Sequence, residues 1–120
     1  MGYKVKLFSK AGKEPVLDAI LSTEPKMQAK IYREINLLEE FGKELHFPHT
    51  RKIAGEKYDG LWELRVQQAS NIFRIFYFVY VEDSVILLHG FVKKSNKTPE
   101  KELEIALSRM KEFTENIKEA

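Results

Sequence analysis

In the run Asn71–Tyr80 (NIFRIFYFVY) a single charge, Arg74, stands among aliphatic and aromatic residues. A guanidinium on so apolar a segment must be paired, or must face a cleft or an open sheet edge, because an isolated buried charge is costly. The preceding segment offers Glu63 and Arg65, two residues apart and therefore on one face of a strand. Two chemistries follow. Arg74 can close a structural ion pair with Glu63 across a hairpin, or Arg74 and Arg65 can grip an anion such as a phosphate in bidentate geometry.

The stretch 89–99 (HGFVKKSNKTP) carries the second set. Lys93, Lys94 and Lys97 crowd the end of an apolar segment, just before Thr98 and Pro99 announce a helix. This is either a solvated basic turn or an anion site made of cations beside backbone N–H donors. His89 is either a satisfied core histidine or a proton-transfer group in the neutral range. His46 and His49 lie three apart in a proline-containing loop with no third ligand nearby, so no metal is expected. Gly-rich phosphate loops, HExxH, GxSxG and paired-carboxylate spacings are all missing, which excludes most familiar enzyme classes. The absence of cysteine removes disulfide scaffolds, thiol nucleophiles and Cys-ligated zinc, and fits a reducing compartment.

These residues need elements to position them. Tyr3–Phe8 alternates as a short strand. Pro15 opens a short helix with Val16, Leu17, Ile20 and Leu21 on one face. Thr23 reads as the N-cap of a longer helix whose apolar residues Met27, Ile31, Ile35, Leu38 and Phe41 recur every three or four positions, with Gly42 at its C-cap. Residues 43–60 are the least regular; a connection that long is functional or hides a short strand around Ile53. Leu61–Gln67 alternates as a strand. Ile72–Val81 holds five of the fourteen aromatic residues, as a central strand buried on both faces would. Val85–Val92 completes a meander joined by short turns. From Pro99, Leu103, Ala106, Leu107, Met110, Phe113 and Ile117 form a helical stripe. The expected class is α+β: an antiparallel sheet in β-α-α-β-β-β-α order, as one domain over residues 1–120.

With 43% hydrophobic and 32% charged residues, the 120-residue chain has an ordinary globular balance. No apolar run approaches the ~20 residues a membrane helix needs. The N-terminus lacks the apolar stretch of a secretory signal, so a cytoplasmic protein with no membrane partner is expected. A net charge of +2 is too small to argue for a polyanion partner. Its distribution says more. Residues 1–98 hold sixteen bases and twelve acids, and residues 99–120 hold four bases and six acids.

Gly60–Arg65 (GLWELR), Phe73–Tyr77 (FRIFY) and Leu87–Pro99 (LLHGFVKKSNKTP) follow one another in order. Together with the helices before and after them, they resemble the RelE/ParE superfamily of toxins from type II toxin–antitoxin pairs, in its phage-derived HigB-like branch. The resemblance implies a RelE-like fold with a helical hairpin on one sheet face and a basic concave face opposite. It implies a ribosome-dependent mRNA endonuclease acting in the ribosomal A site without metal or cofactor, by attack of a ribose 2′-hydroxyl on the adjacent phosphate. On this resemblance Arg65, Arg74, His89, Lys93 and Lys94 are the catalytic candidates. Arg51, Lys52, Lys57 and Lys97 are the flanking RNA-phosphate binders. Arg74 and Lys93/Lys94 rank above Arg65, which Glu63 could neutralise, and Arg74→Ala is expected to leave the protein folded. The implied partners are a helix-turn-helix, HigA-like antitoxin, the ribosome with its mRNA, and promoter DNA reached through the antitoxin complex. Thr98-Pro99-Glu100 stands where RelE-like relatives often place a tyrosine. The other classes are a ParE-like gyrase inhibitor without nuclease residues and a non-catalytic nucleic-acid-binding module.

Overall fold

A computed structural model describes residues 2–94 and 99–119, the last three of these as backbone. The elements are β1 (Lys4–Leu7), α1 (Pro15–Leu21), α2 (Pro25–Phe41), β2 (Thr50–Lys52), β3 (Trp62–Gln68), β4 (Asn71–Tyr80), β5 (Ser84–Val92) and α3 (Glu100–Glu119), with single 3-10 turns at Gly42–Glu44 and Glu56–Tyr58. The α+β class and the helix assignments stand as expected from the sequence, and the aromatic-rich β4 occupies the centre of the sheet.

The sheet itself differs from the expectation of an antiparallel one. It is mixed, with five strands in the order β1-β5-β4-β3-β2. Strands β2 to β5 pair antiparallel, but β1 runs parallel to β5, with Val5 opposite Val85 and Leu7 opposite Leu87. The reason is burial. Val85, Ile86, Leu87 and Leu88 have no exposed surface, so β5 cannot be an edge open to water. The chain that intervenes, two helices and three strands, is long enough to bring β1 alongside in the parallel sense. The additional strand β2 arises from the irregular 43–60 stretch, one residue before Ile53, whose N–H continues the pairing to the Leu61 carbonyl at 3.0 Å.

The two sheet faces bury two separate cores. On one face Val16, Ile20, Met27, Ile31, Ile35 and Leu38 of the α1–α2 pair pack on Leu64, Val66, Phe73, Ile75, Tyr77, Val85 and Leu87. On the other, Leu103, Ala106 and Leu107 of α3 pack on Phe76, Phe78, Ile86 and Leu88. Each fully buried aliphatic or aromatic side chain contributes roughly 1.5–3 kcal/mol, which is what holds the helices once their periodicity has aligned the apolar faces. The aromatic side chains Phe78, Tyr80 and Phe113 meet edge to face at the far end of this second core, with centroids 5.4–6.5 Å apart.

One helix cap departs from the sequence reading. Thr23 does not cap α2; its hydroxyl donates to the Ile20 carbonyl at 2.7 Å and closes α1 instead, and Glu24 occupies the N-cap. Thr98, the expected cap of α3, lies outside the described residues. Gly42 does end α2. Its N–H returns to the Leu38 carbonyl, and its φ of 51° with ψ of −119° is a conformation open to little besides glycine. A Cβ there would also fall within the Tyr3 ring.

Gly42→Ala is therefore expected to destabilise the protein by about 2–4 kcal/mol through backbone strain and overpacking together. Gly12→Ala, where φ is 77° but no atom lies within 4 Å of an added Cβ, should cost only the strain, about 1 kcal/mol. Chemical denaturation of both variants checks this, and equal losses would remove the role assigned to Tyr3.

Candidate nucleic-acid interface

The site is set by one irregularity in β5. Phe76 pairs with His89, yet Tyr77 pairs with Leu87, so β5 carries one extra residue in a bulge. Strict alternation from Leu88 would turn His89, Phe91 and Lys93 towards α1 and α2. The bulge reverses this, and Leu88 and His89 both turn towards α3. Gly90 then faces α1, where an added Cβ would meet the Phe73 ring and Ala19. Phe91 stands opposite Arg74.

Arg65 and Arg74 are direct cross-strand partners on β3 and β4. Like charges opposite one another repel, and the face holds them through Glu63. Glu63 is 2% exposed and Arg74 1%. The Glu63 carboxylate accepts from Arg74 Nε, and its other oxygen accepts from Arg51 at 3.0 Å, Arg51 lying opposite Glu63 on β2. The structural ion pair read from the sequence is thus formed. The expectation that Glu63 would neutralise Arg65 is corrected, since the carboxylate is used by Arg74 and Arg51. Among the described residues Arg65 has no ion-pair partner. The Arg74 guanidinium also lies 5.7 Å from the ring centroids of Phe76 and Phe91.

Lys93 joins this group at the end of β5, its N–H bonded to the Ile72 carbonyl at 2.7 Å. Partial burial, then the like charges of Arg74, Arg65 and more weakly Arg51, hold its ammonium below the ordinary 10.5, with Glu63 pulling the other way. Arg51, Arg65, Arg74 and Lys93 thus share one field, four cations around one carboxylate. An array of this kind binds a phosphodiester, and a lysine with a depressed pKa can also exchange a proton.

His89 sits at the side of this group, against α3. Its Nε2 is 3.2 Å from Glu102, its Nδ1 is 3.2 Å from Arg109, and its ring stacks on Phe91 with centroids 5.5 Å apart. Arg109 also donates to the Leu88 carbonyl at 2.9 Å. Burial lowers the His89 pKa below 6.5 and Arg109 adds to this, while Glu102 raises it. Glu102 and Arg109 did not emerge from the sequence as site residues. Their seven-residue spacing puts them on one face of a helix, a signal that was there to be read, but only the docking of α3 aims that face at His89.

The remaining cations divide. Lys57 pairs with Glu104 at 2.9 Å, and Tyr58 donates to the same carboxylate at 3.1 Å, so these two residues tie the turn before β3 to α3. Lys52 is exposed at the sheet edge, 3.9 Å from Asp59. Lys94 is exposed and lines a cleft of about 470 Å³ with Phe91, Val92, Pro99, Lys101 and Glu102. Lys97 lies outside the described residues. His49 contacts Glu34 at 2.8 Å, and among the described residues no group of three His, Asp or Glu is placed to hold a metal ion. No helix among the described residues is long and apolar enough to cross a membrane.

The fold is a small α+β one, a mixed sheet between a helical pair and a single helix, with a cationic group at one end of the α3 face. The family model for phage-derived protein Gp49-like (DUF891) matches residues 18–111, which include every candidate residue of this face, and the chain belongs to that family. The family is tied to the RelE-like toxins of toxin–antitoxin systems, a tie that points to an antitoxin as partner. No curated protein matches the chain.

The burial of Arg74 revises the expectation that Arg74→Ala leaves the protein folded. Removing Arg74 leaves the buried Glu63 carboxylate with Arg51 alone, and breaking a buried pair costs about 3–5 kcal/mol. Arg74→Met combined with Glu63→Leu should recover most of that loss in denaturant melts. A double variant no more stable than Arg74→Ala would show that the pair does not act through Glu63. His89 adds a pH dependence. Its folded-state pKa is lowered, so below pH 6.5 the unfolded chain takes up a proton that the native ring refuses. Its contribution is therefore intact above pH 6.5 and is lost as pH falls towards the depressed value. Melts of wild type and His89→Gln across pH 7 to 5 should diverge in slope there, wild type falling faster; parallel curves would refute the assignment.

Proposed function

We propose that the protein is the toxin of a type II toxin–antitoxin pair and acts as a ribosome-dependent mRNA endonuclease of the HigB-like kind. The observation that supports this reading most is the grouping of Arg51, Arg65, Arg74 and Lys93 around Glu63 on one sheet face, in a chain whose family is tied to RelE-like toxins.

The reaction suited to such a face needs placed charge and little else. The ribose 2′-oxygen bonds to the neighbouring phosphorus, the bond from phosphorus to the 5′-oxygen breaks, and the products are a cyclic phosphate and a 5′-hydroxyl. The 2′-hydroxyl loses a proton and the departing 5′-oxygen gains one. Holding the 2′-oxygen in line removes an entropic part of the barrier. Arg65 and Lys93 are the cations free to touch the phosphate, and Arg74, buried beneath them, acts through its field and through Glu63. Fixed donors at the reacting oxygens are each worth about 2–4 kcal/mol. Lys93, its ammonium held below the ordinary 10.5 by partial burial and the neighbouring arginines, is one proton-transfer candidate. His89 is the second, positioned by Glu102 and Arg109. Lys94 and the exposed Lys52 are placed to hold flanking phosphates. The antitoxin is a small helix-turn-helix protein, and the pair bound to its promoter closes the regulatory circuit.

Induced expression should arrest growth and leave transcripts cut within translated codons, read by primer extension in cells with translating ribosomes. Lys93→Ala should lower cleavage about 10²–10³-fold while leaving the melting curve close to wild type, since Lys93 is outside the core. DNA breakage and an SOS response with intact transcripts would instead identify a gyrase inhibitor and overturn this reading.

A further inference from the structure

On the α2 side of the sheet a second cationic surface reaches the same edge as Arg65. β2 stops at Thr50 opposite Leu64, so beyond that point β3 has no partner strand on its outer side, apart from the Arg65 N–H bond to the His49 carbonyl at 2.8 Å. A cleft of about 570 Å³ opens there, lined among others by Lys30, Arg33, Glu34, Phe47, His49 and Arg65. Its charge is one-sided. Lys30, Arg33 and Arg65 stand against Glu34, which His49 engages at 2.8 Å. Lys30 and Arg33 are exposed, and Lys30 is steadied by the Gln67 carbonyl at 3.3 Å. Phe47 is 73% exposed, the most exposed large apolar side chain among the described residues, and it stands on the wall of this cationic cleft. An aromatic ring left in water gains nothing from folding, whereas a ring beside cations is the arrangement that holds single-stranded nucleic acid: a base stacks on the ring and the cations take its phosphates.

We propose that this cleft binds a nucleotide of single-stranded RNA, its base stacked on Phe47 and its phosphates on Lys30, Arg33 and Arg65. Arg65 shares the sheet face of Glu63 and Lys93 and borders the cleft at the open edge of β3, so a strand crossing that edge passes from the Lys93 face into the cleft. The direction of the proposal, that this nucleotide flanks the reacting one, rests on the nuclease reading; the binding itself does not. The surface would act as a positioning site that increases affinity for the strand.

The test uses the purified full-length protein without ribosomes and a fluorescein-labelled oligoadenylate, with binding read by anisotropy over a series of salt concentrations. Wild type should bind, and Phe47→Ala should weaken binding by at least about 5-fold, the lower bound for one stacked base. Phe47→Trp should retain affinity, whereas Phe47→Leu should not, which separates stacking from mere apolarity. Lys30→Ala with Arg33→Ala should reduce the salt slope by about 1.4, at ~0.7 for each phosphate contact on a single strand. All three positions changed in these variants are exposed, and circular dichroism checks that each variant folds. No binding by wild type, an unchanged slope in the double variant, or equal affinity in Phe47→Leu and Phe47→Trp would overturn the cleft. The two readings fail separately. Intact transcripts in the primer-extension experiment with oligoadenylate bound as expected would sink the nuclease and leave the cleft; codon cleavage with no effect of Phe47, Lys30 and Arg33 on binding would do the reverse.

Discussion

The carboxylate of Glu63 is the constraint on which the cationic face depends. Without it, Arg51, Arg65, Arg74 and Lys93 would gather at one end of a sheet with nothing to offset their mutual repulsion, and Arg74 would be a buried guanidinium without its carboxylate. A single acid satisfies two of the four. It takes Arg74 from β4 on one oxygen and Arg51 from β2 on the other, and so fastens three strands at the level of the side chains as well as through backbone pairing. A buried pair of this kind adds little net stability compared with apolar packing, but breaking it is expensive. Its consequence here is geometrical. With two arginines held, the unshared charge is left on Arg65 and Lys93, at the surface where a ligand can meet it.

The second controlling feature is the bulge at Leu87–His89, which lets β5 serve two purposes with one strand. Up to Leu88 its side chains fill the two cores, with Val85 and Leu87 on one side and Ile86 and Leu88 on the other. After the extra residue, His89, Phe91 and Lys93 are delivered to the α3 face. Phe91 then links the two polar groups of that face. The Arg74 guanidinium lies over its ring and the His89 imidazole stacks on it, so the ion pair and the histidine are neighbours through an aromatic side chain. α3 completes the arrangement. Its apolar residues Leu103, Ala106 and Leu107 seal the core and Glu102 and Arg109 beside them orient His89, whose basicity is lowered by burial and by Arg109 against the pull of Glu102.

Much of this was legible in the chain because it follows from local periodicity. The helical stripes of α1, α2 and α3, the aromatic density of β4 and the isolation of Arg74 in an apolar run needed only residue type and spacing. The Glu63–Arg74 pairing was legible for the same reason, since two charges on adjacent strands of a short-turned hairpin have few other ways to meet. Other features were not. β1 was read as a strand but not as the parallel neighbour of β5, because pairing between segments some eighty residues apart leaves no mark on either. Thr23 looked like a cap and serves the helix before it, a choice made by which carbonyl lies within reach. Lys57 and Lys94 carry the same charge in the sequence, yet Glu104 of α3 engages one and the other faces an open cleft.

The sequence by itself determined which residues could carry charge or transfer a proton, which segments would be helix or strand, and that cysteine and the common catalytic motifs would play no part. It also carried the three ordered motifs that foreshadowed the family. What tertiary structure alone decided is the side of the sheet on which each of those residues stands. A strand has a two-residue period, so one inserted residue inverts every side chain after it, and nothing in the local pattern of Leu87-Leu88-His89-Gly90 announces the insertion. The bulge exists because β5 must match β4 in register at both ends while Leu88 and His89 turn to the same helix. Only when β4, β5 and α3 are packed together does that requirement arise, and with it the meeting of Lys93 with Arg65, Arg74 and Glu63.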